Sequence, residues 1–166
     1  ARARRLHALA VQVSKPVKEG GFDGSIPESI EQLLELPGIG AYTAAAVASI
    51  AFDLPVGVVD GNVRRVASRQ TGNSSPTHDS VGLWADSMLI SDRPGDSNQA
   101  MMELGAVVCK PKAPKCDLCP IASNCEGKEN PLAYPTPTKR KKSIENLDAA
   151  VLLDSLGRPR LSRRDP

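Results

Sequence analysis

Aromatic side chains are scarce in this chain: they make up 3% of 166 residues, with two Phe, two Tyr and one Trp. A core with so few rings must be filled by aliphatic residues and alanine, which favours helices over sheets. Histidine is nearly absent too. His7 and His78 stand in unrelated polar contexts, so neither is read as a metal ligand or an acid–base group. No apolar run is long enough to span a bilayer, and no signal-peptide pattern opens the chain. The expectation is a soluble intracellular protein with no membrane partner. There is no initiator Met, and Ala1-Arg2-Ala3-Arg4-Arg5-Leu6 reads like the middle of a helix. Cysteine is missing before residue 109 and after residue 125.

The four cysteines that are present, Cys109, Cys116, Cys119 and Cys125, follow the pattern C-x6-C-x2-C-x5-C. Thiolates crowded into one short loop point to a shared metal centre, because the metal's charge stabilises the ligand form of cysteine. A pair of structural disulfides is the plain alternative. A zinc site with four thiolates is the stronger rival, although zinc sites usually pair two short arms across a long gap. Here one tight pair is flanked by two wider loops, which suits ligands reaching different corners of a [4Fe–4S] cubane.

Net charge is only +2, but it is unevenly spread. Residues 1–18 hold five bases and no acid, residues 22–53 five acids and no base, and residues 110–142 eight bases and three acids. A basic region on a near-neutral protein fits nucleic acid touched by one face. Apolar spacing predicts helices over 3–15, 41–51 and 77–91, and one from Gly61 through Arg69. A short helix follows the Ser29–Gln32 capping pattern, and another, capped by Asp96, runs to Cys109. Residues 129–146 read as a linker, with three prolines and the run Lys139-Arg140-Lys141-Lys142. Residues 149–153 read as a β-strand opening a further unit.

Leu36-Pro37-Gly38-Ile39-Gly40 lies between two helices. Its two glycines permit positive φ, and they leave backbone N–H groups uncovered at the start of the second helix. Such a hairpin can hold a phosphate without reading bases. Asp60-Gly61-Asn62 follows 20 residues later. Asp60 is the candidate for chemistry, since a carboxylate below a deoxyribose ring stabilises the cation formed as an N-glycosidic bond breaks. It can equally cap the helix starting near Gly61.

The ordered set is Leu36 to Ala44, Val59 to Val66, Asn98 to Ala106, then the four cysteines. It resembles the helix-hairpin-helix DNA glycosylases that carry an iron–sulfur cluster, and in particular the MutY-type branch. The resemblance covers residues 1–128. It implies an all-α, endonuclease III-like core: the later part of a six-helix barrel at 1–55, with the hairpin at 29–51, and a cluster domain at 56–128. The linker at 129–146 would then lead to the truncated start of a Nudix-like domain at 147–166.

By the same resemblance Asp60 is the catalytic aspartate, Asn62 supports it, and Tyr42 sits beside the same sugar. Gly38, Ile39, Gly40 and Thr43 hold DNA, with Lys110, Lys112 and Lys115 of the first cluster loop. Cys109, Cys116, Cys119 and Cys125 ligate a [4Fe–4S] cluster. The implied activity is removal of adenine from A:8-oxoguanine or A:G mispairs in double-stranded DNA, by a monomer. The compartment follows the host: bacterial cytoplasm, or eukaryotic nucleus or mitochondrion. Endonuclease III-like enzymes carry a nucleophilic lysine just before the Thr-Ala of the hairpin's second helix; Tyr42 stands there, which implies a monofunctional enzyme. The family's acid, a glutamate in an early helix, has no match in this chain, and its oxidised-guanine reader would lie downstream. The chain alone is therefore expected to be an inactive fragment, with uncovered apolar faces on the helices at 3–15 and 41–51. Two alternatives stay open: a thymine mismatch glycosylase of the same superfamily, and a non-catalytic DNA-binding module.

Overall fold

The computed structural model describes residues 2–136 and 153–159. Six α-helices carry the first of these segments: α1 (Arg2–Ser14), α2 (Ile30–Glu35), α3 (Ala41–Ala51), α4 (Gly61–Gln70), α5 (His78–Ser87) and α6 (Pro94–Glu103). Local chemistry starts most of them. The Ser29, Asp60 and Thr77 side chains each accept the backbone N–H three residues on, the usual N-cap bond. Gly40 opens α3 without any side-chain cap. That helix is alanine-rich and ends where Asp53 takes a left-handed φ of 53° ahead of Leu54-Pro55.

Two expected boundaries differ. The sixth helix is not capped by Asp96. It begins at Pro94, whose fixed φ suits the first helical position, and Asp96 lies in the first turn, paired with Arg93 at 2.6 Å. The fifth helix closes at Ser87 instead of residue 91, because the chain turns and the Ser97 hydroxyl accepts the Ile90 N–H at 3.0 Å. The last turn after α6 widens into a π-helical turn, Leu104–Val108, that delivers Cys109.

Two small aliphatic cores hold the helices. The first gathers Val13, Leu33, Leu36, Ala44 and Ala48 from α1, the hairpin and α3. The second gathers Val63, Ala67, Val81 and Ala85 from α4 and α5, with Met101 and Met102 of α6 against it. Helix α6 packs on both α3 and α4, so it joins the two cores. Leu6 on α1 is 67% exposed, and Ile50 on α3 is exposed as well. Among the described residues no helix is long and apolar enough to cross a membrane.

The linker expected from residue 129 is anchored as far as Thr136. The Thr136 N–H donates to the Ser74 carbonyl at 2.8 Å, and Arg69 donates to the carbonyls of Pro131 and Tyr134. The strand expected at 149–153 lies outside the described residues except for Leu153. Leu153 forms one antiparallel bridge with Pro159 across a turn in which Asp154 pairs with Arg158 at 2.7 Å.

Candidate active site and metal centre

Asp60 sits half-buried at the head of α4, with both carboxylate oxygens engaged. Oδ1 accepts the Val63 N–H at 2.6 Å, and Oδ2 accepts from Asn62 Nδ2 at 3.0 Å. The capping role expected of Asp60 is present, on the residue that is also the candidate for chemistry. The loop leading to it is pinned from two helices. Buried Asn98 of α6 accepts the Val58 N–H and donates to the Val56 carbonyl and the Ser49 hydroxyl, each at 2.9 Å. Asp86 of α5 accepts the Gly57 N–H at 2.6 Å. A side chain held this way loses little orientation when a substrate arrives.

Asn62 links Asp60 to the cysteine loop. Its Oδ1 accepts from Arg65 Nη2 at 2.8 Å, which fixes the amide so that Nδ2 faces the carboxylate. Arg65 donates onward to the carbonyls of Cys109 (2.8 Å) and Gly105 (2.6 Å). Burial lowers the Arg65 pKa, with Cys109 opposing and Arg69 adding to the drop. Gly105 permits this close approach. A Cβ at that position would lie 2.6 Å from Asn62 Cβ and 3.2 Å from its backbone. Gly105→Ala should therefore cost about 1–3 kcal/mol in overpacking. A lowered midpoint in thermal unfolding of the variant checks this.

Tyr42, at the start of α3, is 45% exposed, and its hydroxyl reaches Met102 Sδ at 3.8 Å. It lines an open groove with Val59, the neighbour of Asp60, and with His78 and Asp86. The structure ties Tyr42 to α6 and records no bond from it to Asp60.

In the hairpin only Gly38 uses the left-handed region, at φ 85°, and its α-carbon faces the Arg5 side chain. Gly40 is extended at φ −107°, and a Cβ there would meet nothing within 4 Å. Positive φ is thus needed at one hairpin glycine, not two; Gly40 leaves the first-turn N–H groups of α3 uncovered. Gly38, Ile39 and Thr43 share a groove with Arg2 and Arg5 of α1. In the sequence the only signal for these two arginines is the run of bases in residues 1–18.

The four cysteines are free thiols that line one small, partly open pocket. No disulfide forms. Among the described residues no three His, Cys, Asp or Glu side chains stand close enough to share a single metal ion. Four thiols lining one pocket are a donor set that either a cubane cluster or a tetrathiolate zinc site would use. Burial raises the Cys125 pKa, opposed by the Gly127 N–H. Lys112 and Lys115 are exposed on the first loop, while Lys110 is half-buried and its carbonyl accepts from Arg69.

Residues 21–50 match the family model of the helix-hairpin-helix motif. The chain is 48% identical to an adenine DNA glycosylase of Rattus norvegicus, over 75% of this chain and 24% of that protein. It is 37% identical to an adenine DNA glycosylase of Mycolicibacterium smegmatis, over 93% of this chain and 53% of that protein. It therefore spans between about a quarter and about half of these relatives' lengths. Among solved structures, a thermostable thymine-DNA glycosylase matches with a TM-score of 0.67 at 32% identity, over 77% of this chain and 58% of that one. A trapped endonuclease III–DNA covalent intermediate matches with a TM-score of 0.63 at 28% identity, over 76% of this chain and 58% of that one. The helical, endonuclease III-like architecture expected from the motifs is present.

Proposed function

We propose that this chain, a relative of the MutY-type adenine DNA glycosylases, carries the sugar-facing part of a base-excision site that removes adenine mispaired with 8-oxoguanine. The observation that carries the reading is the half-buried Asp60 carboxylate, held in place by Val63, Asn62 and the Asn98-pinned loop. As the N-glycosidic bond lengthens, positive charge grows on the deoxyribose, and a fixed carboxylate stabilises it without reorganising. Asn62 and Arg65 keep that carboxylate aimed. The target base must leave the stack to reach the site, since a base in duplex is inaccessible. The uncovered amides at Ala41 to Thr43 and the exposed Lys112 and Lys115 hold the backbone, in a salt-dependent and sequence-blind way. The protein acts as a monomer on duplex DNA, in the compartment that holds the genome.

Cys109, Cys116, Cys119 and Cys125 are the residues that would hold a [4Fe–4S] cluster. Bound there, the cluster supplies structural cross-links to a segment that has no apolar core of its own.

The test is excision by the full-length protein on A:8-oxoguanine and T:G duplexes. Preference for adenine supports the reading. Preference for thymine supports the mismatch glycosylase, a second reading favoured by the fold match to a thymine-DNA glycosylase. DNA binding without excision of either base leaves only a binding module.

Tyr42 occupies the position at which a lysine nucleophile would form an imine with the sugar. Borohydride is therefore expected to trap no covalent complex with an abasic product. Efficient trapping, lost on mutation of a single lysine, would place the protein in the lyase branch.

A further inference from the structure

Arg69, in the last turn of α4, is a charged side chain that the excision chemistry leaves unused, and only 3% of its surface is exposed. Its guanidinium is nearly saturated. Nε donates to the carbonyls of Pro131 (2.7 Å) and Tyr134 (3.1 Å), Nη1 to the Lys110 carbonyl (2.8 Å) and Cys109 Sγ (3.3 Å), and Nη2 to the Pro111 carbonyl (3.1 Å). The hydrogen bonds are met, but the charge is not. Among the described residues the ion pairs are Arg93–Asp96 and Arg158–Asp154, so no carboxylate faces Arg69. A guanidinium does not give up its proton in a protein, and a buried charge without a counter-charge is strongly disfavoured. The candidate counter-charge is the cysteine cage, because Arg69 lines the same cavity as all four cysteines.

We propose that Arg69 is a positioning residue and the built-in counter-charge of the cysteine cage, so that cluster retention and reduction potential both depend on it. The proposal rests on the cluster reading above. Geometry supplies the positioning: one guanidinium joins the carbonyls of residues 109–111, where the cage begins, to those of residues 131 and 134, where the chain leaves it. Electrostatics supplies the rest. Four thiolates around a [4Fe–4S] core carry net negative charge, and a nearby fixed cation stabilises the more reduced, more negative state. Removing the cation shifts the potential to more negative values. A lysine keeps the charge but is a point donor that cannot reach acceptors on both sides at once.

Two variants separate these roles, each compared with wild type in the protein purified anaerobically. Iron and acid-labile sulfide are counted, the loss of visible absorbance in excess chelator is timed, and the midpoint potential is titrated. Arg69→Lys should lose its cluster about 10-fold faster or more, the range for residues that orient metal ligands, at a near-normal potential. Arg69→Met should lose it faster still and show a more negative potential, which a purely structural role would not move. Wild-type retention and potential in Arg69→Met would overturn the proposal. Should Arg69→Met not fold, Arg69→Lys decides, and wild-type retention in that variant overturns it. Zinc without sulfide in the wild-type protein would overturn the cluster reading itself, before any variant is made.

Discussion

In the full-length protein, Asp60→Asn is expected to abolish the proposed adenine excision while leaving the fold and DNA affinity nearly intact. Asparagine is as good an N-cap as aspartate, so the bond to the Val63 N–H survives and α4 keeps its start. What disappears is the negative charge opposite the forming sugar cation. Loss of one fixed electrostatic group costs about 10²–10³-fold in rate, and at least ~100-fold is expected here in single turnover. One local conflict follows from the geometry. The new amide would set an NH2 against Asn62 Nδ2, or else force Asn62 to turn and release Arg65. The loss is therefore expected in the upper part of that range. Asp60→Ala would confound the result by removing the cap as well, at about 1 kcal/mol. Near-normal excision by Asp60→Asn, measured with DNA affinity alongside, would remove Asp60 from the chemistry.

Cys116→Ser is expected to have the largest effect on structure. The buried apolar side chains among the described residues run from Val13 to Pro94, and none lies in residues 109–136. That segment has short 3-10 turns, backbone hydrogen bonds and the cysteine cage in place of a core. When ligand bonds replace apolar burial, losing the metal means losing the local fold. The variant should fall well below wild type in iron and sulfide, and residues 109–136 should become open to protease while α3 and α4 stay protected. Excision should fall in parallel, because the Cys109 carbonyl is one of the two acceptors outside α4 that anchor Arg65, which in turn orients Asn62. Full iron and sulfide with unchanged protease resistance would mean that Cys116 is not a ligand.

Much of this architecture is legible in one dimension because its causes are local. Ser29, Asp60 and Thr77 cap the helices that follow them through bonds spanning three residues, and Pro37-Gly38 breaks the chain wherever it occurs. The alanine-rich run at 41–51 needs no partner to favour a helix. The cysteine spacing predicts that the four thiols meet, and they line one pocket. The misplaced start of α6 is also local: Pro94 at the first helical position outranks Asp96 as a start signal, and Asp96 is taken up by Arg93.

Other features depend on residues far apart in the chain, where local propensity carries no information. Arg65 and Arg69 read as ordinary members of a basic helix face, yet both turn inward to carbonyls around Cys109, more than thirty positions away. Asn98 looks like any polar helix residue until three long-range bonds make it the pin of the loop before Asp60. Gly105 is unremarked in sequence because its reason is the Asn62 backbone across the interface. Tyr42 carries a family signal, but its contact with Met102 is set by how α6 crosses α3. The sequence by itself determined the hairpin, the Ser29 and Asp60 caps and most of the helical spans, because each is set within a few bonds along the chain. Only the tertiary structure decided how Asp60 is held and which carbonyls Arg69 meets, because those depend on which buried donor meets which acceptor once the helices have packed.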